Sequence, residues 1–344
     1  MSVRAHGLFR PLALAFAAAA MAAPALAIDT VGPATSPAAS DAASPAVVPT
    51  LPDVTDPTAD LLRIGADDAD RMTLPVEIGK LGPYPFLIDT GSHRSIVATE
   101  LARRLMLEQL PPVEIVSMAG RETVAAVHLD EMRFGNQVVS NLPALSIAHE
   151  DLGSAGLIGL DGLQNKRVTL DFKKRQLSIG KSMPVKATID RNVIVVQARS
   201  LLGQLILVDS RLDGKRVNVI LDTGAEMSVG NMVLFNKLRQ KRLLIPPQKV
   251  IIKSVTGTPI EAQFTVVREL KIDSVNLQNV PMVFLDAAPF AELGLGDKPS
   301  MLLGMAMLRM FNRVAIDFGS RHVDFEVPQS SSDKKDLERL FAAL

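Results

Sequence analysis

Cysteine is absent from this chain of 344 residues, and its absence excludes disulfides, thiol nucleophiles and thiolate metal sites. Only five histidines are present, and none is paired with another at a helical or metal-ligand spacing. We therefore expect no metal site and no cofactor. The chain also lacks an excess of either charge, since 37 basic residues balance 37 acidic ones. Without a basic surface that could release counterions, nucleic acid is not an expected partner.

The first residues have the pattern of an export signal. Arg4 and Arg10 precede an apolar stretch from Leu12 to Met21, and small residues lead to Ala27. A membrane anchor is the rival interpretation, but the apolar stretch is shorter than the roughly 20 residues that span a bilayer. We expect residues 1–27 to be a signal peptide that is cleaved after Ala27.

An alanine-rich signal with no cysteine to carry lipid favours export to a bacterial periplasm over a lipoprotein. We expect no stable membrane insertion once the signal is removed. Residues 28–66 are rich in Ala, Pro and Ser, a composition with too few large apolar groups to form a core. They predict a disordered spacer between the signal and the folded body.

Beyond the spacer the sequence has a β pattern. Hydrophobic residues make up 47% of the chain, and short apolar runs are separated by Gly, Asn, Asp and Pro at roughly ten-residue intervals. Few helices are expected, the best at Ala98–Met106 and Asn231–Lys241. Residues 329–344 form a C-terminal tail with four apolar residues at helical spacing, and we expect a helix there. These are Leu337, Leu340, Phe341 and Leu344.

The β-rich region reads twice in the same order. Each copy has an apolar strand that runs into Asp-Thr-Gly, then a hairpin glycine, an apolar-apolar-Gly element and an Arg-Val-x-apolar-Asp-Phe strand. The paired landmarks are Asp89 and Asp222, Gly120 and Gly257, Gly159 and Gly304, and Arg167 and Arg313. Their offsets grow only from 133 to 146, as expected of a tandem duplication with small loop insertions. We place the first lobe at residues 67–186 and the second at 187–328.

A single Asp-Thr-Gly has an ordinary explanation, because aspartate and glycine favour turns. Two copies at matching places favour catalysis by Asp89 and Asp222. Peptide hydrolysis without a metal or a covalent nucleophile needs one group to take a proton from water and another to give one to the carbonyl oxygen. Two carboxyls that share a proton can do both. Gly91 and Gly224 would let the two loops approach closely, since a side chain there would obstruct their meeting.

These motifs resemble those of the retropepsin-like aspartic proteases. The resemblance covers about Met72 to Glu326 and implies an all-β fold of two tandem β-barrel lobes that form a bilobal pseudo-dimer within one chain. It further implies a monomeric aspartic endopeptidase that acts on a peptide or protein substrate. By the same resemblance, the hydroxyls of Thr90 and Thr223 hydrogen-bond backbone of the opposite loop.

The two copies are not identical. Ser92 follows the first Asp-Thr-Gly and Ala225 follows the second, and we hypothesise that the serine hydroxyl bonds a carboxylate oxygen and lowers the pKa of Asp89. Asp161 in the first apolar-Gly element corresponds to Ala306 in the second.

Flaps are expected at the two hairpin glycines. The candidate residues are Met118, Gly120, Val255 and Gly257, with Arg121 and Thr258 beside them. The single tyrosine, Tyr84, precedes the first aspartate, so no flap tyrosine of the pepsin kind is present.

Two other interpretations stay open. One is a non-catalytic periplasmic binding or scaffold protein that keeps the acid-protease fold, since fold does not guarantee chemistry. The other is a dimer in which each lobe pairs with a lobe of a second molecule. Both Asp-Thr-Gly triplets are retained, which argues against the first, and residues 180–204 form a linker long enough for pairing within one chain.

Overall fold

The structure is a computed structural model. It describes residues 60–63, 65–66, 72–185, 192–239 and 243–328, together with Leu14–Ala15. Nearly all of the expected signal peptide and spacer, the expected lobe boundary at residue 187 and the expected tail helix lie outside the described residues.

Strands dominate the described residues, and helices are few and short. In chain order the strands are β1 (Leu14–Ala15), β2 (Asp60–Arg63), β3 (Gly65–Ala66), β4 (Met72–Ile78), β5 (Leu81–Ile88), β6 (Ile96–Ala98), β7 (Gln109–Ser117), β8 (Gly120–Phe134), β9 (Gln137–Ile147), β10 (Gly156–Ile158), β11 (Lys166–Asp171), β12 (Gln176–Lys181), β13 (Val193–Leu201), β14 (Gln204–Leu207), β15 (Ser210–Leu212), β16 (Lys215–Arg216), β17 (Asn218–Leu221), β18 (Ser228–Gly230), β19 (Gln248–Lys253), β20 (Pro259–Ile272), β21 (Val275–Phe284), β22 (Ser300–Leu303), β23 (Arg313–Asp317) and β24 (His322–Glu326). The helices are α1 (Thr99–Arg104), α2 (His149–Leu152), α3 (Leu160–Leu163), α4 (Met232–Leu238), α5 (Ala288–Glu292) and α6 (Met305–Leu308). None of these helices has the length and apolar character needed to cross a bilayer.

Alternating side chains explain why these segments are strands. Along β4, Leu74, Val76 and Ile78 are buried while Pro75 and Glu77 are exposed, the period of two that puts successive side chains on opposite faces of a sheet. The three apolar residues lie in the core of the first half, which we define as residues 72–185. Residues 192–328, the second half, have two apolar clusters of their own.

Each half contains the same arrangement of four strands. In the first half β5 pairs in parallel with β10, β10 is antiparallel to β6, and β6 is parallel to β9. In the second half β17, β22, β18 and β21 repeat these three pairings in the same order and sense. The all-β fold and the two repeats are therefore confirmed.

One sheet joins the two halves. Its strands follow the order β13-β24-β23-β11-β12-β2, and β11 of the first half is antiparallel to β23 of the second, with Val168 opposite Ile316 and Leu170 opposite Val314. All four of these side chains are buried. The last strands of the first half thus complete a sheet with the second half, which fixes the relative position of the two repeats.

The helices α1 and α4 each follow the short strand after an Asp-Thr-Gly. Both are shorter than the sequence predicts. In α4, the Asn231 side chain accepts a hydrogen bond from the Leu234 N–H at 3.0 Å, so the helix begins directly after this cap. The helix ends at Leu238 rather than Lys241, and α1 ends at Arg104 rather than Met106.

Candidate active site

Each Asp-Thr-Gly begins where a buried parallel strand pair ends. The N–H of Asp89 donates to the Ile158 carbonyl at 3.0 Å, and the N–H of Asp222 donates to the Leu303 carbonyl at 3.1 Å. Ile158 and Leu303 belong to the apolar-apolar-Gly elements that form β10 and β22. These elements therefore support the two turns from the side, in equivalent positions. We call residues 89–95 the first Asp loop and residues 222–228 the second Asp loop.

Both carboxyl groups are fully buried, and their own loops hold them. In the first Asp loop the N–H groups of Gly91 and Ser92 donate to Oδ1 of Asp89 at 2.7 and 3.1 Å. In the second Asp loop the two corresponding N–H groups donate to Oδ1 of Asp222 at 3.0 and 3.1 Å. Oδ1 is thus the oxygen that the backbone N–H groups hold in each loop.

The two Asp loops approach each other as closely as the glycines permit. A Cβ atom placed on Gly91 would lie 2.7 Å from Oδ1 of Asp222, and one placed on Gly224 would lie 2.6 Å from Oδ1 of Asp89. Both distances are shorter than real Cβ contacts. Any larger residue at either position would have to displace the carboxyl of the other half.

Four hydrogen bonds between the two threonines and the opposite loops hold this approach. The Thr90 hydroxyl donates to the Leu221 carbonyl at 3.0 Å and accepts from the Thr223 N–H at 3.1 Å. The Thr223 hydroxyl donates to the Ile88 carbonyl at 2.8 Å and accepts from the Thr90 N–H at 3.1 Å. The expected hydrogen bonds to the opposite loops are therefore present, and they are reciprocal.

The proximity of the carboxyls changes their ionisation. Burial raises the pKa of Asp222 well above its ordinary value of 3.8, and the charge of Asp89 and a hydrogen bond between the two carboxyl groups raise it further. The N–H groups that donate to its Oδ1 oppose this shift but do not cancel it. Two buried carboxyls held close together repel each other when both are charged, so this pair favours a state with one proton over a state with none.

The family of this chain is shown by a family sequence model that matches the chain in two regions. The model for aspartyl proteases matches residues 74–161 and 208–307, which is more than half of the chain, and each region contains one Asp loop. The chain belongs to the aspartyl protease family. It is a retropepsin-like member with two repeats.

Among solved structures, the chain is similar to a retropepsin-like aspartic protease from Rickettsia conorii, with 18% sequence identity and a TM-score of 0.27. That likeness covers 39% of this chain and 89% of the other. No curated protein matches the chain.

Ser92 does not act on the carboxylate as we hypothesised. Its hydroxyl donates to the Arg94 carbonyl at 2.7 Å, so the single hydroxyl proton is not directed at Asp89. The backbone N–H of Ser92, and not its side chain, bonds the carboxylate. Since an alanine offers the same N–H, Ala225 is equivalent to Ser92 in this respect.

Asp161 supports the first Asp loop. Its carboxylate accepts from the Ser95 N–H at 2.9 Å and from the Ser95 hydroxyl at 2.7 Å, while the Ser95 hydroxyl accepts from the Gly159 N–H at 3.2 Å. Burial raises the pKa of Asp161, against the effect of the hydrogen bonds from Ser95. In the second half Ser228 accepts from the Gly304 N–H at 3.2 Å, and an alanine occupies the position of the carboxylate.

A different pair supports the second Asp loop. Glu226 and Arg309 form a hydrogen-bonded ion pair that is largely buried. Glu226 is the fourth residue after Asp222, where the first loop has His93. The two loops therefore share a backbone and differ in the side chains that brace it.

The candidate flap residues lie at the tips of two hairpins. We call the β7–β8 hairpin the first flap and the β19–β20 hairpin the second flap. Met118 and Gly120 are at the turn of the first, and Val255 and Gly257 are at the turn of the second. Met118 and Val255 are buried, so these two are not solvated tip residues.

Each flap tip packs against the opposite half. Met118 belongs to an apolar cluster of the second half that includes Ala225, the residue after the second Asp-Thr-Gly. Val255 belongs to the core cluster of the first half, and a Cβ on Gly257 would collide with the carboxylate of Asp151 in α2. The flaps are thus closed across the boundary between the halves.

Polar contacts also join the flaps. The carboxylate of Glu122 on the first flap accepts from the hydroxyls of Thr256 and Thr258 on the second, at 2.8 Å from each. Arg121 forms ion pairs with Glu114 on its own flap and with Glu292 in α5 of the second half. Sequence reasoning named Arg121 and Thr258 but missed Glu122, whose partner is more than 130 positions away.

Gln204 and His93 were also missed. Gln204 is fully buried and donates from Nε2 to the Gly91 carbonyl at 2.7 Å. The His93 ring contacts the Leu202 carbonyl through Nε2 at 2.5 Å, and burial lowers its pKa. No motif marks either residue. The one available signal concerns Gln204, which is the first residue of the short apolar strand β14, where a buried strand is expected.

Proposed function

We propose that this protein is an aspartic endopeptidase that hydrolyses peptide bonds with a water molecule activated by Asp89 and Asp222. The observation that carries the proposal is the fully buried pair of carboxyls, held between two loops that are tied to each other by reciprocal hydrogen bonds. A purely structural role would not explain why two acidic groups are buried against each other, because burial penalises the charged form and like charges repel.

The proposed reaction uses the shared proton twice. Asp89, ionised, takes a proton from water as the water oxygen attacks the peptide carbonyl carbon, while Asp222 gives its proton to the carbonyl oxygen. In the second step Asp89 gives a proton to the amide nitrogen and the C–N bond breaks. One hydroxyl of the intermediate returns its proton to Asp222, which restores the starting state of the pair.

The flaps define how a substrate would enter. The two tips contact the opposite halves and each other through Glu122 and the hydroxyls of Thr256 and Thr258, so they must separate before an extended peptide reaches the carboxyls. Strand addition to the flap edges would supply backbone hydrogen bonds to such a peptide. We propose that the enzyme works as a monomer on peptide or protein substrates after export to a bacterial periplasm.

The proposal sets the sign of the pH dependence. Activity requires one proton on the pair, so it falls at low pH when both carboxyls are protonated. It also falls as the pH rises through the raised pKa of Asp222, because the general acid is then lost. The profile of kcat/KM against pH is therefore expected to be bell-shaped.

The test is digestion of a denatured-protein or peptide library across acidic to neutral pH. The Asp89→Asn and Asp222→Asn variants are each expected to cleave about 10³-fold more slowly than the natural protein. Asp130→Asn, the same chemical change at an exposed residue of β8, is the matched control and is expected to retain full activity. Equal cleavage by both active-site variants and the natural protein would refute the dyad. A natural protein inactive at every pH would favour the non-catalytic alternative.

A further inference from the structure

One member of the carboxyl pair holds the proton more readily than the other only if their surroundings differ. The hydrogen bonds within the two Asp loops do not provide that difference. Each Oδ1 accepts from two N–H groups at similar distances. The threonine contacts are reciprocal as well. Any preference of the proton for one carboxyl must therefore come from groups outside the two motifs that contact one loop and not the other.

Gln204 is a group that contacts the first Asp loop. Its side chain comes from β14 of the second half, is fully buried, and donates from Nε2 to the carbonyl of Gly91 at 2.7 Å. Oε1 has no hydrogen-bond partner among the described residues. The opposite orientation of the amide would place Oε1 against the Gly91 carbonyl oxygen, so only the donating orientation is compatible with this contact.

The carbonyl that Gln204 bonds belongs to the same peptide group that bonds Asp89. The Gly91 carbonyl is conjugated with the Ser92 N–H, and that N–H donates to Oδ1 of Asp89 at 3.1 Å. A donor on the carbonyl draws electron density from the peptide group and makes its N–H a stronger donor. The chain of contacts from Gln204 through this peptide to Asp89 therefore stabilises the ionised form of that carboxyl.

Among the described residues, the second Asp loop has no equivalent of the Gln204 contact. The N–H of Ala225 donates to Oδ1 of Asp222 at 3.1 Å, but no side chain of the described residues donates to the Gly224 carbonyl. A second contact tightens the first loop alone, since the His93 ring bonds the Leu202 carbonyl two residues before Gln204. The tip of the β13–β14 hairpin is thus attached to the first Asp loop at two points.

We propose that Gln204 is a positioning residue that makes Asp89 the ionised member of the pair and leaves the shared proton on Asp222. This rests on the proposed function in that the pair is taken to work as acid and base. Gln204 touches neither carboxyl, so it acts only through the Gly91–Ser92 peptide.

The test measures the titration of each aspartate separately. In the Asp222→Asn protein Asp89 is the remaining carboxyl of the pair, and in the Asp89→Asn protein it is Asp222, which avoids a coupled titration. Carboxyl ¹³C NMR gives the midpoint of each, with and without Gln204→Met, a change that keeps the length of the side chain and removes its donor. We expect the Asp89 midpoint to rise by about half a pH unit or more and the Asp222 midpoint to stay unchanged.

Thr265→Val is the matched control. Thr265 is buried in the second half and donates to the Ile245 carbonyl at 2.7 Å, a bond of the same kind and length that has no connection to the pair. It is expected to lower stability without moving either midpoint. If Gln204→Met moves both midpoints equally, or moves neither, the proposal is wrong. Should Gln204→Met fail to fold, Gln204→Asn withdraws the amide by one methylene and is judged by the same two midpoints.

The titration does not depend on turnover, so it separates this proposal from the proposed function. An inactive natural protein in which Gln204→Met still moves the Asp89 midpoint alone would overturn the endopeptidase assignment and keep the role of Gln204. In an active protein, Gln204→Met is also expected to move the acidic limb of kcat/KM to higher pH by about the same half unit. A glutamine that only stabilised the fold would not move that limb.

Discussion

The first and second Asp loops have the same backbone and different braces. In each loop the aspartate N–H donates to a carbonyl of an apolar-Gly element, two N–H groups donate to Oδ1 of the aspartate, and the threonine hydroxyl donates to backbone of the other half. Around this shared frame, the first loop is braced by Asp161, Gln204 and His93, and the second by the Glu226–Arg309 pair. The difference shows that the paired geometry belongs to the motif, whereas any division of labour between the aspartates belongs to residues outside it.

The largest effect on stability is expected from changes to the two threonines of the shared frame. Thr90→Val and Thr223→Val each remove a buried hydroxyl that donates to one carbonyl and accepts from one N–H of the opposite loop. Each change is expected to lower the free energy of unfolding by about 2–3 kcal/mol. Denaturant unfolding measures the cost, and the two values should be similar. A clear inequality between them would show that the frame itself is asymmetric.

The braces can be compared at equivalent serines. Ser95→Ala removes a hydrogen bond to the Asp161 carboxylate and leaves the Gly159 N–H unpaired, at an expected cost of about 2–3 kcal/mol. Ser228→Ala leaves only the Gly304 N–H unpaired, at about 1 kcal/mol. Denaturant unfolding of both variants gives the difference directly. In an Asp161→Ala background the extra cost at Ser95 should largely disappear, and its persistence would contradict the role given to the carboxylate.

The smallest and most local effect is expected at the flaps. Glu122→Ala removes the acceptor for Thr256 and Thr258, and we expect amide hydrogen exchange at both flap tips to become about tenfold faster. The matched control is Glu131→Ala on the same strand, whose ion pair with Arg133 is exposed and which should not alter exchange at the tips. Faster exchange in only one flap would mean that Glu122 does not join the two.

Much of the fold and the position of the site could be predicted from the sequence because the duplication repeats local patterns. A buried strand that ends in Asp-Thr-Gly needs only local information to be recognised, and its repetition marks Asp89 and Asp222 as equivalent. The Ser92 hypothesis failed because the orientation of a hydroxyl depends on its nearest acceptor, which is the Arg94 carbonyl. The two hairpin turns were placed correctly along the chain, but the burial of Met118 and Val255 follows from contacts with the opposite half.

The sequence by itself determined the all-β class, the two repeats, the pair of aspartates and the glycines that allow them to meet. Alternation of apolar residues and the steric demands of a tight turn act over a few neighbouring positions, so they are readable along the chain. The tertiary structure alone decided that Gln204 bonds Gly91, that Glu122 joins the flaps and that β11 completes a sheet with β23. These contacts bring together residues more than a hundred positions apart, and nothing in the local sequence of either partner specifies the other.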